Sequence, residues 1–128
     1  MINRILHRVY VGDSEYTQKD LDDFGITWVL NVGGKKTGVE NYHRHLSDDG
    51  SNSYIDVMDA VLQARQRILS GFTVLIHCRA GMSRSPYIIA KHLESFGMDL
   101  FDAVQFVKEK HPMTQINQEL LHMENGGK

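Results

Sequence analysis

The sequence predicts an α/β fold in which a central, mostly parallel sheet of about four to five strands is flanked by helices. Two apolar runs rich in β-forming residues, 26–32 and 73–78, are typical of strands buried on both faces. Segments with helical apolar spacing alternate with these runs along the chain. Because 128 residues is the size of one ordinary domain, we expect residues 1–128 to form a single domain with a flexible tail at 125–128.

The N-terminal half combines short strands with one helix and two loops. Residues 5–12 alternate apolar and polar side chains, which predicts one or two short strands. Asp13 or Ser14 could cap a helix that ends at Gly25. The segments that follow are a strand at 26–32, a loop at 33–41, a short strand at 42–46 and a polar loop at 47–53.

The C-terminal half is mainly helical around one buried strand. Helical apolar spacing predicts a helix from Tyr54 to about Ser70, closed by Gly71, ahead of the strand at 73–78. Pro86 is predicted at the first position of the next helix, with two more helices after it, so the last three span 86–97, 99–112 and 117–124. Helical spacing also predicts core positions for five aromatic residues: Tyr54, Tyr87, Phe96, Phe101 and Phe106.

Composition and charge narrow the functional classes. The net charge of -2 and pI of 6.4 give no basic field for nucleic acid, so we expect no nucleic-acid partner. A single cysteine cannot form an internal disulfide, and the N-terminus lacks a signal-peptide apolar core, so we expect a cytoplasmic protein without a membrane partner. The two histidines of the segment 42–46 lack a third ligand at metal spacing, and we predict neither metal nor cofactor.

The single cysteine, Cys78, ends the second buried strand. Ligands of parallel sheets bind at the carboxyl ends of the strands, which is where this residue falls. Only five residues separate it from Arg84, and a helix starts immediately afterwards. A loop this tight points several backbone N–H groups into one concavity, with Gly81 allowing close backbone approach. Together with the bidentate guanidinium of Arg84, the loop is expected to bind phosphate or a sulfate-like anion.

The same environment favours the thiolate form of Cys78. Loop amides, the helix N-terminus and a guanidinium all stabilise a negative charge on sulfur. A thiolate at the base of a phosphate-binding loop can attack phosphorus in line. The residues therefore predict nucleophilic phosphoryl transfer.

The segment HCRAGMSRS at 77–85 resembles the HCxxGxxRS loop of the cysteine-dependent protein tyrosine phosphatases. Three further segments are similar to the dual-specificity branch of that family: RVYVGD, GITWVLNV and LSDDGSNSY, at 8–13, 25–32 and 46–54. The resemblance covers nearly the whole chain and implies the protein tyrosine phosphatase-like fold of the dual-specificity type.

The resemblance also implies roles for individual residues. Cys78 would form a phosphocysteine, Arg84 would bind the phosphoryl oxygens, and Asp48 would act as general acid and then general base. Ser85 would hydrogen-bond the sulfur, and His77 would support the loop and favour the thiolate. The backbone amides lining the site would be those of Arg79, Ala80, Gly81, Met82, Ser83 and Arg84.

Several alternatives stay open at this stage. Asp49 is a rival to Asp48 as the general acid, since both lie in a loop whose composition is also typical of turns. Lys35 and Lys36 are either solvated surface or steer an anionic substrate, and Arg79 could contact substrate. The expected substrate is a phosphorylated protein carrying phosphotyrosine, with phosphoserine or phosphothreonine possible.

Other functions fit the same loop to different extents. A phosphoinositide or RNA 5′-phosphate phosphatase would keep the fold and mechanism. A non-catalytic phospho-binding module would be expected to lack the cysteine or the arginine, and both are present. A sulfurtransferase loop would be expected to be one residue shorter.

Overall fold

A five-stranded sheet forms the centre of the computed structural model, which describes residues 1–126 and the side chains of 1–123. The strand order is β1-β2-β5-β3-β4, with β1 and β2 antiparallel and every other neighbouring pair parallel. The sheet is therefore mostly parallel, as predicted. The strands are β1 (Ile2–Leu6), β2 (Val9–Gly12), β3 (Trp28–Gly33), β4 (Tyr42–His43) and β5 (Val74–Cys78).

Within residues 1–126, five helices cover the two faces of this sheet. One face carries most of the helical residues and the larger core, while the other is covered by α1 and a smaller cluster around Leu21, Val29 and Leu75. This arrangement explains why every residue of β3 and β5 is buried, without the alternation of buried and exposed side chains that a sheet with one solvent-facing side shows. The helices are α1 (Gln18–Phe24), α2 (Tyr54–Leu69), α3 (Arg84–Glu94), α4 (Leu100–Lys110) and α5 (Gln118–Gly126).

The strand register brings three strand ends to one edge of the sheet. Cys78 at the end of β5 pairs with Gly33 of β3, and His77 pairs with Gly12 of β2. The segments that leave these strands therefore start side by side. The predicted fold class is confirmed, and this edge is where a site in a parallel sheet is expected.

The first helix begins later than the sequence predicted. Thr17 is its N-cap, because the Thr17 and Asp20 side chains form a reciprocal capping box. Asp13 instead binds the N-terminal amine, and Ser14 donates a hydrogen bond to the Cys78 carbonyl. Neither predicted cap was correct, since both side chains have partners outside the helix.

Other boundaries and burial predictions also need correction. The strand expected at 42–46 is limited to Tyr42–His43, and Pro86 is the third residue of α3, which already starts at Arg84. Tyr54, Phe96 and Phe101 are exposed, although helical spacing predicted core positions. In α2 the buried stripe is Val57, Ala60, Val61, Ala64 and Ile68, and Tyr54 lies off it.

Two further findings concern the C-terminal end of the chain and the lengths of the helices. Helix α5 runs to Gly126, and the rest of the predicted tail at 125–128 lies outside the described residues. Within the described part of the chain, the helices are too short or too polar to cross a bilayer.

Candidate active site

Cys78 lies at the floor of the site, on the last position of the central strand β5. Its side chain is buried, and its Sγ is 3.2 Å from the Ser85 hydroxyl. Ser85 is the second residue of α3, so the sulfur lies close to the N-terminal end of this helix. A negative charge on the sulfur would be stabilised there by the helix dipole and by one hydroxyl donor.

Four carbonyls of the cysteine loop, residues 78–84, are turned outward. The carbonyls of Cys78 and Arg79 accept hydrogen bonds from Ser14, at 3.2 and 3.3 Å. Those of Gly81 and Met82 accept from the segment 111–115, each at 2.7 Å. In a trans peptide the carbonyl of one residue and the N–H of the next point in opposite directions. The N–H groups of the residues that follow these carbonyls, at 79, 80, 82 and 83, therefore face the interior of the loop, which forms a cradle for an anion.

Gly81 is required by both backbone conformation and space. Its φ is +70°, and a Cβ there would lie 2.9 to 3.0 Å from the backbone of Gly12 and Asp13. A side chain would push the cysteine loop away from the end of β2. The tight loop predicted from sequence thus depends on close backbone packing against a neighbouring strand.

Arg84 closes the cradle from the side of β3. Its Nη1 donates a 2.8 Å hydrogen bond to the Leu46 carbonyl, and Leu46 in turn donates its N–H to Val32. The guanidinium packs closely against Gly33, where a Cβ would be only 2.5 Å from Cζ. Two main-chain segments therefore fix the orientation of the charged group.

Asp48 lies on the rim of the cradle and is joined to it by Ser83. The Ser83 hydroxyl donates to Asp48 Oδ1 at 2.6 Å and accepts the Asn117 N–H at 2.8 Å. The Asn117 side chain completes the clamp by donating to the Asp48 carbonyl at 2.7 Å. The structure thus brings Asp48 together with the cysteine loop, as a side chain exposed to entering ligands.

The Asp49 side chain instead forms hydrogen bonds within its own turn. Its Oδ1 accepts both the hydroxyl and the N–H of Ser51, at 2.5 and 2.8 Å. These two hydrogen bonds lower the pKa of Asp49, because they stabilise the carboxylate. A carboxylate held in this form is a poor proton donor.

His77 lies beneath the cysteine loop, on the opposite side of the sheet from the Cys78 side chain. Its ring is buried, and its Nε2 is 3.0 Å from the Tyr16 hydroxyl. Burial lowers the pKa of His77 to about 4, so the imidazole is neutral at pH 7. It can support the loop as a hydrogen-bonding group but adds no positive charge.

An open cleft adjoins the cradle. It has a volume of about 960 Å³, and its walls come from the segments after β2, β3 and β4 and from the cysteine loop. Its positively charged lining residues are Lys35, Lys36, Arg79 and Arg84, with Glu15 as the exposed acidic residue. Among residues 1–126, no cluster of three or more histidine, cysteine or acidic side chains could hold a metal ion.

Sequence reasoning missed several residues that shape this site. Ser14 and Gly33 follow or end strands at the ligand-binding edge, so the strand-end rule could have found them. His111 and Asn117 carry no such signal, since they reach the loop from the segments around α4 and α5. Their contacts exist only once the helices have packed.

Comparisons with known proteins show similarity in both sequence and fold. The family model "Dual specificity phosphatase, catalytic domain" matches residues 9–124. Mouse protein tyrosine phosphatase type IVA 2 is 31% identical over 116 residues, which cover 83% of this chain and 70% of that protein. Dual specificity protein phosphatase 1-A of Xenopus laevis is also 31% identical, but the match covers only 33% of its length and 88% of this chain.

Solved structures show the same fold. A mouse putative dual specificity phosphatase complexed with zinc tungstate superposes with a TM-score of 0.85 at 21% identity, covering 98% of this chain and 84% of that one. Human DUSP28 superposes with a TM-score of 0.84 at 19% identity, over 98% and 90% of the two chains.

Proposed function

This chain belongs to the dual specificity phosphatase family of cysteine-dependent protein tyrosine phosphatases, and we propose that it hydrolyses phosphorylated proteins through a phosphocysteine on Cys78, without a metal ion. The observation that carries the proposal is the position of the Cys78 sulfur, at the floor of a loop whose amides turn inward and whose open side is closed by Arg84.

Substrate binding is assigned to the cysteine loop. The phosphoryl oxygens accept hydrogen bonds from the backbone N–H groups of Arg79, Ala80, Gly81, Met82, Ser83 and Arg84. The Arg84 guanidinium adds a bidentate contact and balances the charge that builds up in the transition state. Because main-chain segments hold Arg84 in place, this stabilisation needs little reorganisation during the reaction.

In the first step the Cys78 thiolate attacks phosphorus opposite the ester oxygen. The S–P bond forms, the P–O bond to the substrate breaks, and Asp48 gives its proton to the leaving oxygen. The position of Asp48 on the rim, next to Ser83, supports this role. The products are the dephosphorylated side chain, a phosphocysteine and the Asp48 carboxylate.

In the second step water hydrolyses the phosphocysteine. Asp48 takes a proton from the water, the new P–O bond forms, and the S–P bond breaks to return the thiolate and inorganic phosphate. Ser85 is 3.2 Å from the sulfur and donates a hydrogen bond that stabilises the leaving thiolate. Neutral His77 acts from below as a supporting group for the loop.

The substrate is a phosphorylated protein, with phosphotyrosine first and phosphoserine or phosphothreonine second. A nucleophilic thiol without a second cysteine suits a reducing compartment such as the cytoplasm. Turnover of matched phosphotyrosine and phosphothreonine peptides tests the specificity. Complete exclusion of the phosphothreonine peptide would remove the dual-specificity part of the proposal.

The test of the proposed reaction is hydrolysis of p-nitrophenyl phosphate in excess chelator by the wild-type protein and by Cys78→Ser. We expect chelator-resistant turnover in the wild type and none in the variant, which should still bind phosphate. Turnover that survives the substitution would contradict the covalent mechanism. A wild type that binds phosphate without turnover would favour a binding module, and turnover of phosphoinositides or RNA 5′-phosphates alone would favour those substrates.

A further inference from the structure

The basic loop, residues 33–40 between β3 and β4, is a prominent positive feature of the cleft. Lys35 and Lys36 are exposed there and line the cleft with Arg79 and Arg84. Within residues 1–126, neither lysine takes part in the ion pairs of the structure. Four cations beside one cradle contrast with the net charge of -2 of the whole chain.

The basic loop is built around one carboxylate. Glu40 accepts the Thr37 N–H and hydroxyl at 2.9 and 2.8 Å, the Gly38 N–H at 3.0 Å and the Asn31 side-chain amide at 3.3 Å. Although burial works in the opposite direction, these hydrogen bonds lower the pKa of Glu40 to about 2. The Asn31 amide also binds the Lys35 carbonyl at 3.2 Å. The Glu40 carboxylate therefore forms its hydrogen bonds within the basic loop. These bonds fix the backbone that carries Lys35 and Lys36.

A chain of hydroxyl groups ties the basic loop to the base of the site. The Thr37 hydroxyl donates to Glu40, so its contact of 2.7 Å with Tyr16 must be one in which Tyr16 donates. The Tyr16 oxygen then accepts from His77 Nε2 at 3.0 Å. Each hydrogen bond in this chain points from the sheet toward the Glu40 carboxylate, which is the arrangement that strengthens neighbouring hydrogen bonds.

The start of the basic loop packs directly on the cysteine loop. A Cβ at Gly34 would lie 3.0 Å from the Arg79 backbone nitrogen, and Gly33 packs on the Arg84 guanidinium. Lys35 follows one residue later, about 4 Å further along the backbone. The lysines are thus beside the scissile phosphate but outside the cradle, within reach of a second group on the same ligand.

We propose that Lys35, Lys36 and Arg79 form a second anion subsite that binds a carboxylate or phosphate on a residue flanking the scissile phosphoresidue of a peptide. This inference rests on the proposed phosphatase function and names the substrate class it prefers. Residues 80–83 inside the cradle include no lysine, so the cradle is suited to a single phosphate. The additional positive charges of Lys35, Lys36 and Arg79 lie outside it. An anionic bilayer faces a large part of the protein surface, so the net charge of -2 opposes its approach, whereas a short peptide faces only the basic lining of the cleft. A peptide is therefore the favoured source of the second anion.

The test compares phosphotyrosine peptides that differ only in whether the flanking residues on either side are Glu or Gln. With the wild type at low ionic strength, we expect kcat/KM for the acidic peptide to exceed that of the neutral one by about tenfold, mainly through KM. Salt should reduce this ratio. In the double variant Lys35→Gln, Lys36→Gln the ratio should fall to within about twofold.

The matched control is Lys108→Gln, Lys110→Gln, which removes two exposed charges from α4 that do not line the cleft. It should keep the full preference. Equal kcat/KM for acidic and neutral peptides in the wild type would overturn the proposal, as would a preference that survives in the Lys35, Lys36 double variant. Faster turnover of phosphoinositide vesicles than of acidic peptides would also overturn it.

A second variant separates charge from geometry. Glu40→Gln makes the basic loop more positive, so attraction by net charge alone would raise the preference for the acidic peptide. If the carboxylate builds the subsite, the preference should fall despite the gain in charge. A rise would contradict the structural role of Glu40.

Failure of the phosphatase proposal is distinguishable from failure of the subsite. If the wild type does not hydrolyse p-nitrophenyl phosphate or either peptide, the reaction is wrong. The subsite is then judged by calorimetric binding of the two peptides to Cys78→Ser. Tighter binding of the acidic peptide, lost in Lys35→Gln, Lys36→Gln, would support the subsite, and equal binding would overturn it.

Discussion

Gly33→Ala tests how far the reaction depends on the exact position of the Arg84 guanidinium. The new Cβ would lie 2.5 Å from Arg84 Cζ and 2.7 Å from Nε, whereas carbon atoms in contact are normally about 3.5 Å apart. The guanidinium must therefore move by about 1 Å, because the backbone of β3 is fixed by its pairing with β5. A displacement of about 1 Å in a group that stabilises the transition state costs roughly 10²-fold in rate.

The assay is steady-state hydrolysis of p-nitrophenyl phosphate, with inhibition by inorganic phosphate measured in parallel. We expect kcat/KM to fall about 10²-fold and phosphate to inhibit more weakly, since the same guanidinium binds both. Overpacking at this buried position costs about 1–3 kcal/mol, so stability must be measured as well.

Gly97→Ala serves as the control for that stability loss. Gly97 has a φ of +100° and open space around its Cα, so an alanine there destabilises the fold by about 1 kcal/mol without touching the site. Its kcat/KM should stay at the wild-type value. A Gly33→Ala variant with nearly normal kcat/KM would refute the claim that Gly33 sets the position of Arg84.

Three further predictions concern the acid, its clamp and the buried histidine. Asp48→Asn should lower kcat about 10²-fold and remove the alkaline limb of the pH–rate profile, while Asp49→Asn should leave both nearly unchanged; the reverse result would move the acid to Asp49. Asn117→Ala should lower kcat several-fold for phosphothreonine peptides and less for p-nitrophenyl phosphate, whose leaving group needs little protonation; equal losses would argue against a clamp on Asp48. The pKa of His77 is about 4 in the folded protein and about 6.5 in the unfolded chain. Between these pH values the unfolded chain binds more protons than the folded protein, so the free energy of unfolding falls as the pH drops. Burial also lowers the pKa of His43, His92 and His111, which adds to the loss in the same direction. Urea unfolding should therefore show a loss of at least about 2 kcal/mol from pH 7 to pH 5, and a pH-independent stability over that interval would contradict a buried, neutral His77.

The central strand and its loop could be predicted because their signals are local. The apolar run of β5, the position of Cys78 at its end and the spacing to Arg84 all lie within a dozen residues of sequence. The rule that ligands bind at the carboxyl ends of parallel strands then placed the loop correctly at one edge of the sheet. Local periodicity was sufficient for the fold class for the same reason.

The features that were predicted wrongly, or not at all, depend on tertiary contacts. Ser14 looks like a helix cap in sequence, but its hydroxyl donates to the Cys78 carbonyl across the sheet. Phe101 follows helical spacing, yet α4 turns smaller residues such as Ala103 inward. Phe96 lies in the turn that follows α3, where helical spacing no longer determines burial. The clamp through Asn117 joins residues 69 positions apart and leaves no pattern in the sequence.

The most direct measurement is detection of the phosphoryl-enzyme itself. Asp48→Asn should slow hydrolysis of the intermediate, because the water loses its general base. After mixing this variant with p-nitrophenyl phosphate and quenching rapidly in denaturant, peptide mass spectrometry should find a phosphoryl group on Cys78 and none in Cys78→Ser. Substrate turnover with no adduct on Cys78, or with an adduct on another residue, would contradict the phosphocysteine mechanism.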